Sequence, residues 1–364
     1  MIPLRLEIAS PTGEIFRFSN MGDEQGKIES GNWTKNAGRR ANSLDVEIAD
    51  PELFYANSLP LPYVARNLQA TVRCFRGLNG IPFLEGVLTA WKGSGLPGKM
   101  SLTISDKFRN VRRYPSFRAF SNVTAQALIE SLIEEVNENT GTSLTADFTD
   151  ADLSQTVYGQ LVTAGQTAAD IFESLCESQG HGFRVEGETA VFFRLRETSA
   201  NTILYLGKDI LNGFSFDCAE LTRATTPNVR HFFDGSDTTE QSEENADDFW
   251  APAPILGLNL QAFTTPSFDG PSLELANRAQ KKRRELMKFN FPLVGFRTEI
   301  QPGSQVQVYG LGRRFDGIHF VQNCNLDFST EITTIKTTNS GGDYVELQSE
   351  RNSGKGIEIS DKPR

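Results

Sequence analysis

Apolar and polar residues alternate with a period of two along the first hundred residues, the pattern of half-buried strands. Leu4, Leu6 and Ile8 alternate with polar neighbours, Ser10-Pro11-Thr12-Gly13 makes a turn, and Phe16 and Phe18 resume the alternation, which predicts a hairpin. The polar, Gly- and Asn-rich stretch over residues 22–43 predicts a loop. Leu44, Val46 and Ile48 predict another strand, stopped by Asp50-Pro51. Residues 68–106 then predict a meander. Leu68, Ala70, Val72 and Cys74 alternate, and Gly77-Leu78-Asn79-Gly80 turns the chain. A strand over 83–91 leads to a second turn at Gly93-Ser94-Gly95-Leu96-Pro97-Gly98, and Leu102 and Ile104 begin the next strand. Many short strands with regular turn signals suit a β-barrel.

The period changes in the middle of the chain. Leu128, Ile129, Leu132, Ile133 and Val136 stand at helical spacing within residues 122–137. A second helix is predicted over about 167–179, with Thr167 as N-cap, Asp170 three residues on, and Gly180 at the position that ends helices. A hairpin follows, with Phe183 and Val185 on one arm and Val191, Phe193 and Leu195 on the other. Short strands return over 200–231. Asp237, Glu240, Glu243, Glu244, Asp247 and Asp248 then form an acidic stretch with few core-forming residues, which predicts a long mobile loop at about 234–249. A third helix is predicted over about 272–289, carrying the basic run Lys281-Lys282-Arg283-Arg284. Alternation resumes at Val306 and Val308 and continues through Ile318, Phe320, Cys324, Leu326 and Phe328.

Two segments resemble each other. Val72-Arg73-Cys74-Phe75 followed by Phe83-Leu84-Glu85-Gly86-Val87-Leu88 matches Val306-Gln307-Val308-Tyr309 followed by Phe315-Asp316-Gly317-Ile318-His319. Both read as strand, Gly-rich turn, aromatic, acid and Gly, the Gly marking a bulge or bend. The expected architecture is therefore mainly β with an α/β insert: a first barrel over 1–111, a small α/β module over 112–199, a second, related barrel over 200–335, and a polar extension over 336–364. Three copies of such a chain would set six similar units in a ring.

The same segments resemble the tail hub family: late control protein D of contractile-tailed phages, baseplate hubs of larger phages, and the N-terminal part of type VI secretion spike proteins. Phe83-Leu84-Glu85-Gly86-Val87-Leu88 is similar to the family's aromatic-x-Gly strand. Leu102-Thr103-Ile104-Ser105-Asp106 with Val111-Arg112-Arg113 is similar to its barrel-closing step. Residues 124–136, and then 164–182 with Phe183-Arg184-Val185, resemble the inserted module. Residues 276–286, Pro302-Gly303-Ser304-Gln305-Val306 and Phe315-Asp316-Gly317-Ile318-His319-Phe320-Val321 resemble the second barrel. The resemblance covers most of residues 1–335 and departs at the acidic 234–249 segment. It implies a structural hub of a contractile injection machine, a pseudo-sixfold homotrimeric ring with a central channel, joining the sixfold tail tube to the threefold central spike. The implied partners are further copies of itself, the tail tube protein, the central spike protein and other baseplate proteins, with DNA passing through the channel without specific binding during genome ejection. The implied place is the tail baseplate of a virion, assembled in the bacterial host cytoplasm. A bacterial injection system, a tail-associated cell-wall hydrolase and a glycan-binding tail protein are the alternatives.

Composition and candidate chemistry add little to that picture and remove much from others. The net charge is −10, which argues against a general nucleic-acid binder. It suits a surface along which a polyanion slides, and the expectation is that part of it lines the channel. Phe outnumbers Tyr and Trp, 26 against 7 and 3, which favours apolar barrel interiors and seams. No signal peptide, transmembrane run or membrane insertion is expected. Cys74, Cys176, Cys218 and Cys324 are too far apart for zinc or redox spacing and read as buried thiols of a reducing cytoplasm. His181, His231 and His319 have no metal-ligand spacing, and Gly310-Leu311-Gly312 reads as a hairpin turn. No catalytic residues, metal site or cofactor is expected. Two basic groups, Lys281-Lys282-Arg283-Arg284 and Lys107, Arg109, Arg112, Arg113 and Arg118, are candidates to meet an acidic surface on an adjacent subunit.

Overall fold

The computed structural model of the chain describes residues 2–22, 24–50, 52–62, 70–76, 80, 82–94, 98–151, 153–154, 157–163, 165–195, 202–218, 228–233, 236–241, 263–264, 287–312 and 315–339. The first unit contains β1 (Leu4–Ala9), β2 (Ile15–Ser19), β3 (Gly26–Asn36), β4 (Ser43–Asp50), the short helix α1 (Phe54–Ser58), β5 (Thr71–Arg76), β6 (Pro82–Ser94) and β7 (Gly98–Asp106). The strands pair in the order β1-β2-β3-β4-β7-β6-β5, and β5 pairs back onto β1, so the sheet closes as a seven-stranded barrel. Period-two alternation fills it. Leu4, Leu6 and Ile8 from β1, Leu44, Val46 and Ile48 from β4, and Met100, Leu102 and Ile104 from β7 all point inward and are buried. The weakest joint is β2 with β3, a parallel contact of only two residue pairs. There α1 lends Tyr55, whose ring meets Phe18 edge-on at 4.9 Å and whose hydroxyl donates to the Gln25 carbonyl at 2.6 Å.

The polar stretch expected as a loop over 22–43 instead holds β3, eleven residues long. Its sequence lacks an apolar alternation because β3 is held by backbone pairing on both edges: β4 on one side, and β2 and then a strand of the second unit on the other. Gly31 lets it lie close over Leu4, whose Cδ2 is 2.5 Å from where a Cβ would stand.

The middle module holds α2 (Arg109–Arg113), β8 (Ala119–Thr124), α3 (Ala125–Thr140), β9 (Thr145–Asp150), β10 (Val157–Val162), α4 (Ala168–Ser178), β11 (His181–Glu186) and β12 (Thr189–Arg194). Thr124 caps α3 by accepting from the Ala127 amide at 3.2 Å, and Gly141 ends it in the left-handed region. Thr167 accepts from the Asp170 amide and donates its hydroxyl to the Asp170 carboxylate, closing the first turn of α4. Both helices bury their apolar faces over the β11-β12-β9 sheet, with Phe108, Phe172, Phe183 and Phe192 at the centre.

The second unit contains β13 (Thr202–Tyr205), β14 (Ser215–Cys218), β15 (Asn228–Phe233), β16 (Ser236–Gln241), β17 (Phe263–Thr264), β18 (Met287–Leu293), β19 (Gln305–Tyr309), β20 (Gly317–Asp327) and β21 (Thr333–Asn339). Six strands pair in the order β13-β19-β20-β21-β18-β14, and Ile210 bridges Leu206, just after β13, to Leu293 of β18. β15, β16 and β17 form a separate small sheet. Part of the expected acidic loop is thus a strand, because residues 236–241 pair with 228–233. The remainder of 234–249, most of the helix expected over 272–289 with its Lys281–Arg284 run, and the extension after residue 339 lie outside the described residues. The helix's expected last turn, residues 287–289, is the start of β18.

The two units share a topology. β3, β4, β5, β6 and β7 correspond to β14, β18, β19, β20 and β21, with every neighbour pair antiparallel in both. The register differs from the one the sequence match suggests. Val72 lies opposite Gly86, whereas Val306 lies opposite His319. Bulges at Leu88/Ala90 and Val321/Asn323 fix the same correspondence. Gly86 therefore matches His319, and Gly317 sits two residues earlier. The two glycines answer different needs: Gly86 admits the Ser105 carbonyl, and Gly317 has φ 145°.

Candidate assembly interface

The two units meet through one strand. The first residues of β20 pair with β19, and residues 323–327 pair on the same edge with residues 32–36 of β3, so β20 belongs to both sheets. β21 runs along its other edge. This seam is filled by aromatics. The Trp33 ring lies 4.5 Å from Phe83, Phe83 lies 5.6 Å from Phe328, and Phe328 lies 4.7 Å from Phe296. Trp33 and Phe296 pack against the cores of both units.

Polar groups pin the seam's position. Lys35 of β3 is 4% exposed, and its Nζ donates to the Thr298 carbonyl at 3.0 Å and to Gln301 Oε1 at 3.2 Å, both on the second unit. The ammonium stands 4.6 Å from the centre of the Trp33 ring. Burial pushes its pKa below the ordinary lysine value. Opposite it, burial pushes the Cys324 thiol up to about 12, so the thiol stays neutral beside the cation. Asn323 Nδ2 donates to Asn36 Oδ1 at 2.6 Å.

The middle module docks at the same place. The turn between β3 and β4 reaches into it: the Gly38 amide donates to the Phe183 carbonyl at 2.7 Å, and Asn42 Nδ2 donates to the Val185 carbonyl at 2.9 Å. Arg39 pairs with Asp170 and Glu173, each at 3.2 Å. From the second unit Gly303, at φ +84°, lies so close to Phe193 that a Cβ would stand 2.1 Å from the ring. Three units therefore converge on residues 35–42.

Of the two basic groups singled out in the sequence, the described one is largely engaged within the chain. Lys107 bridges Glu85 at 3.3 Å and Glu188 at 2.5 Å, so it ties the first barrel to the module. Arg112 pairs with Asp106 at 3.1 Å, Arg118 with Glu135 at 3.2 Å, and Arg109 is buried. Lys107, Arg112 and Arg118 are thus paired with acids of the same chain, while Arg113 stays exposed. The partners stand from 6 to 81 residues away, so a count of basic residues along the chain does not show the pairing.

Cys74, Cys176 and Cys324 are buried, while the side chains of Cys218 and His231 lie outside the described residues. Among the described residues no group of three or more His, Cys, Asp or Glu could hold a metal, and no helix is long and apolar enough to cross a membrane. His181 and His319 are both buried. His319 packs edge-on against Phe289 at 4.7 Å, with its Nε2 2.9 Å from the Phe315 carbonyl. Burial pushes its pKa from 6.5 down to about 4, against the opposing pull of that carbonyl and of Asp316. The unfolded chain therefore binds the proton first. Stability is full above about pH 6.5 and falls as the pH drops toward 4, by about 3 kcal/mol across the whole interval. Urea unfolding of His319→Gln, which keeps a donor but does not titrate, should lack this slope.

Exposed apolar side chains occur on all three units, among them Phe54 on α1, and on the second unit they lie along one sheet. Phe216 on β14 is 54% exposed, Ile203 on β13 is 52% exposed, and Tyr205 and Tyr309 stack at 5.5 Å on the outer face of the sheet. Phe117, 73% exposed, stands at the start of the β8–β10 ribbon near Val162. Apolar side chains grouped on a sheet edge and face mark contact surface.

No protein-family model matches the chain, and no curated protein is similar to it in sequence. Solved structures share its fold. The 43 kDa tail protein of prophage MuSo2 from Shewanella oneidensis superimposes with a TM-score of 0.61 at 12% identity, over 93% of this chain and 98% of that one. A tail protein from Neisseria meningitidis MC58 gives 0.62 at 13% identity, over 93% and 97%. An Escherichia coli protein described as a component of the type VI secretion system, with structural similarity to bacteriophage T4 tail proteins, gives 0.54 at 11% identity, over 87% and 74%. At these identities the likeness is one of fold: a mainly β chain built like tail proteins.

Proposed function

We propose that the chain is a structural hub of a contractile injection machine, working by shape and buried area rather than by catalysis. Three copies form a ring of six similar barrel units around a channel, the ring joins a sixfold tail tube to a threefold central spike, and DNA passes through without being held. The observation that carries this reading is the repeated five-strand topology within one chain, joined through β20. A chain with two like units is the simplest object that presents sixfold contacts to one neighbour and threefold contacts to another. The likeness to tail proteins from two bacterial genomes and to a type VI secretion component supports it, and spans both phage tails and bacterial injection systems. The expected place is the tail baseplate, next to tube and spike. Negative-stain imaging of the purified protein tests the arrangement. The expected image is a ring with six similar lobes and a central hole; closed, solid particles would count against it.

A further inference from the structure

The seam inside the chain is a template for a seam between chains. Carrying the shared register from one unit to the other sets residues 90–94 of β6 where residues 323–327 of β20 stand. It also sets Ser215–Cys218 of β14 where residues 32–35 of β3 stand. In the second unit the β20 segment pairs with β3 of the first. Its counterpart on β6 pairs with β7 on one edge, but beyond Leu88, whose amide donates to the Ala70 carbonyl, its other edge has no strand partner among the described residues. β14 pairs with β18 on one edge, and its other edge likewise has no partner among the described residues. Among the described residues two edges thus stand open, one on each unit, that are the counterparts of the two edges already joined within the chain.

We propose that these edges join head to tail between copies: β14 of one chain pairs antiparallel with residues 90–94 of β6 in the next, repeating the β3–β20 contact. The inference deepens the ring reading and rests on it. Transferring the β3–β20 register sets Ser94 opposite Ser215, Gly93 opposite Phe216, Lys92 opposite Asp217 and Trp91 opposite Cys218. The side chains suit these places. Lys92 and Asp217 are both exposed and of opposite charge. Phe216 is the counterpart of Trp33, the aromatic that fills the internal seam, and it faces Gly93, where a ring can lie flat over the backbone. Edges bearing unpaired amide and carbonyl groups invite such strand addition. Because the contact is heterologous, it builds rings when the rotation closes.

The test uses the full chain with Lys92→Cys and Asp217→Cys together, oxidised under native conditions. The expected products are covalent dimers and a closed covalent ring, absent from either single substitution. Charge exchange gives a second readout. Lys92→Glu or Asp217→Lys alone should weaken assembly by roughly tenfold, and the two combined should restore it. An assembly of normal size that forms neither the cross-link nor the charge-dependent loss would overturn this seam and leave the ring reading standing. A chain that stays monomeric at every concentration would overturn both.

Discussion

Asp106→Ala should lower stability by about 3–5 kcal/mol, the cost of breaking a buried ion pair from one side. Asp106 is 2% exposed at the end of β7, where its Oδ1 accepts from Arg112 Nη1 at 3.1 Å and its Oδ2 accepts from the Asn42 amide at 3.1 Å. Arg112 also donates through Nη2 to the Arg40 carbonyl. Burial pushes the Asp106 carboxyl above the ordinary carboxylate range, while Arg112 and its hydrogen bonds pull it back toward the charged form. Burial likewise pulls Arg112 down. Each charge is tolerable only beside the other. Removing the carboxylate strands the guanidinium and frees the Asn42 amide in the turn that docks on the middle module. The effect should appear as a fall in urea midpoint together with faster amide exchange at residues 38–42. Arg112→Met combined with Asp106→Leu should recover most of the loss, because an apolar pair leaves no orphaned charge. A loss under about 1 kcal/mol for Asp106→Ala would mean that the pair does not anchor the turn.

Gly86→Ala should cost about 3 kcal/mol, the upper range for overpacking a fitted site. A Cβ at position 86 would stand 2.1 Å from the Ser105 carbonyl oxygen and 2.8 Å from its carbon, and both atoms are backbone. No rotamer relieves that contact, and β7 cannot retreat because β4 pairs along its other edge. The two strands must part near the bulge at Leu88/Ala90, at the root of the open β6 segment. The second unit carries His319 at the matching position, so the demand for glycine belongs to the first barrel alone. Chemical denaturation measures the loss; a near-neutral Gly86→Ala would mean that β6 and β7 stand farther apart than described.

Most strands were legible because their alternation records burial directly: Leu4, Leu6 and Ile8, or Val306 and Val308, can form nothing else so economically. Helix α3 was legible through the helical spacing of Leu128, Ile129, Leu132, Ile133 and Val136, and α4 through Thr167 and Gly180 at its ends. β3 was not, since Gly26–Asn36 has few apolar residues and its outer edge is fixed in part by β20, almost three hundred residues later. The repeat was visible but displaced by two residues, because matching letters aligned Gly86 with Gly317 while pairing aligns Gly86 with His319. The Asp106–Arg112 pair lies inside the segment from Leu102 to Arg113, yet Arg112 read as one of a basic group, since neutralisation is a property of contacts and not of composition. The seam residues Trp33, Lys35 and Phe216 carried no sequence signal beyond being aromatic or charged in polar surroundings. Their role emerges only when the two units are brought into register.

The most direct test of the ring is the mass of the purified chain under native conditions. Native mass spectrometry should find a species of three times 40.3 kDa, persisting on dilution and dispersing in denaturant. A single chain of 40.3 kDa at every concentration would contradict the account.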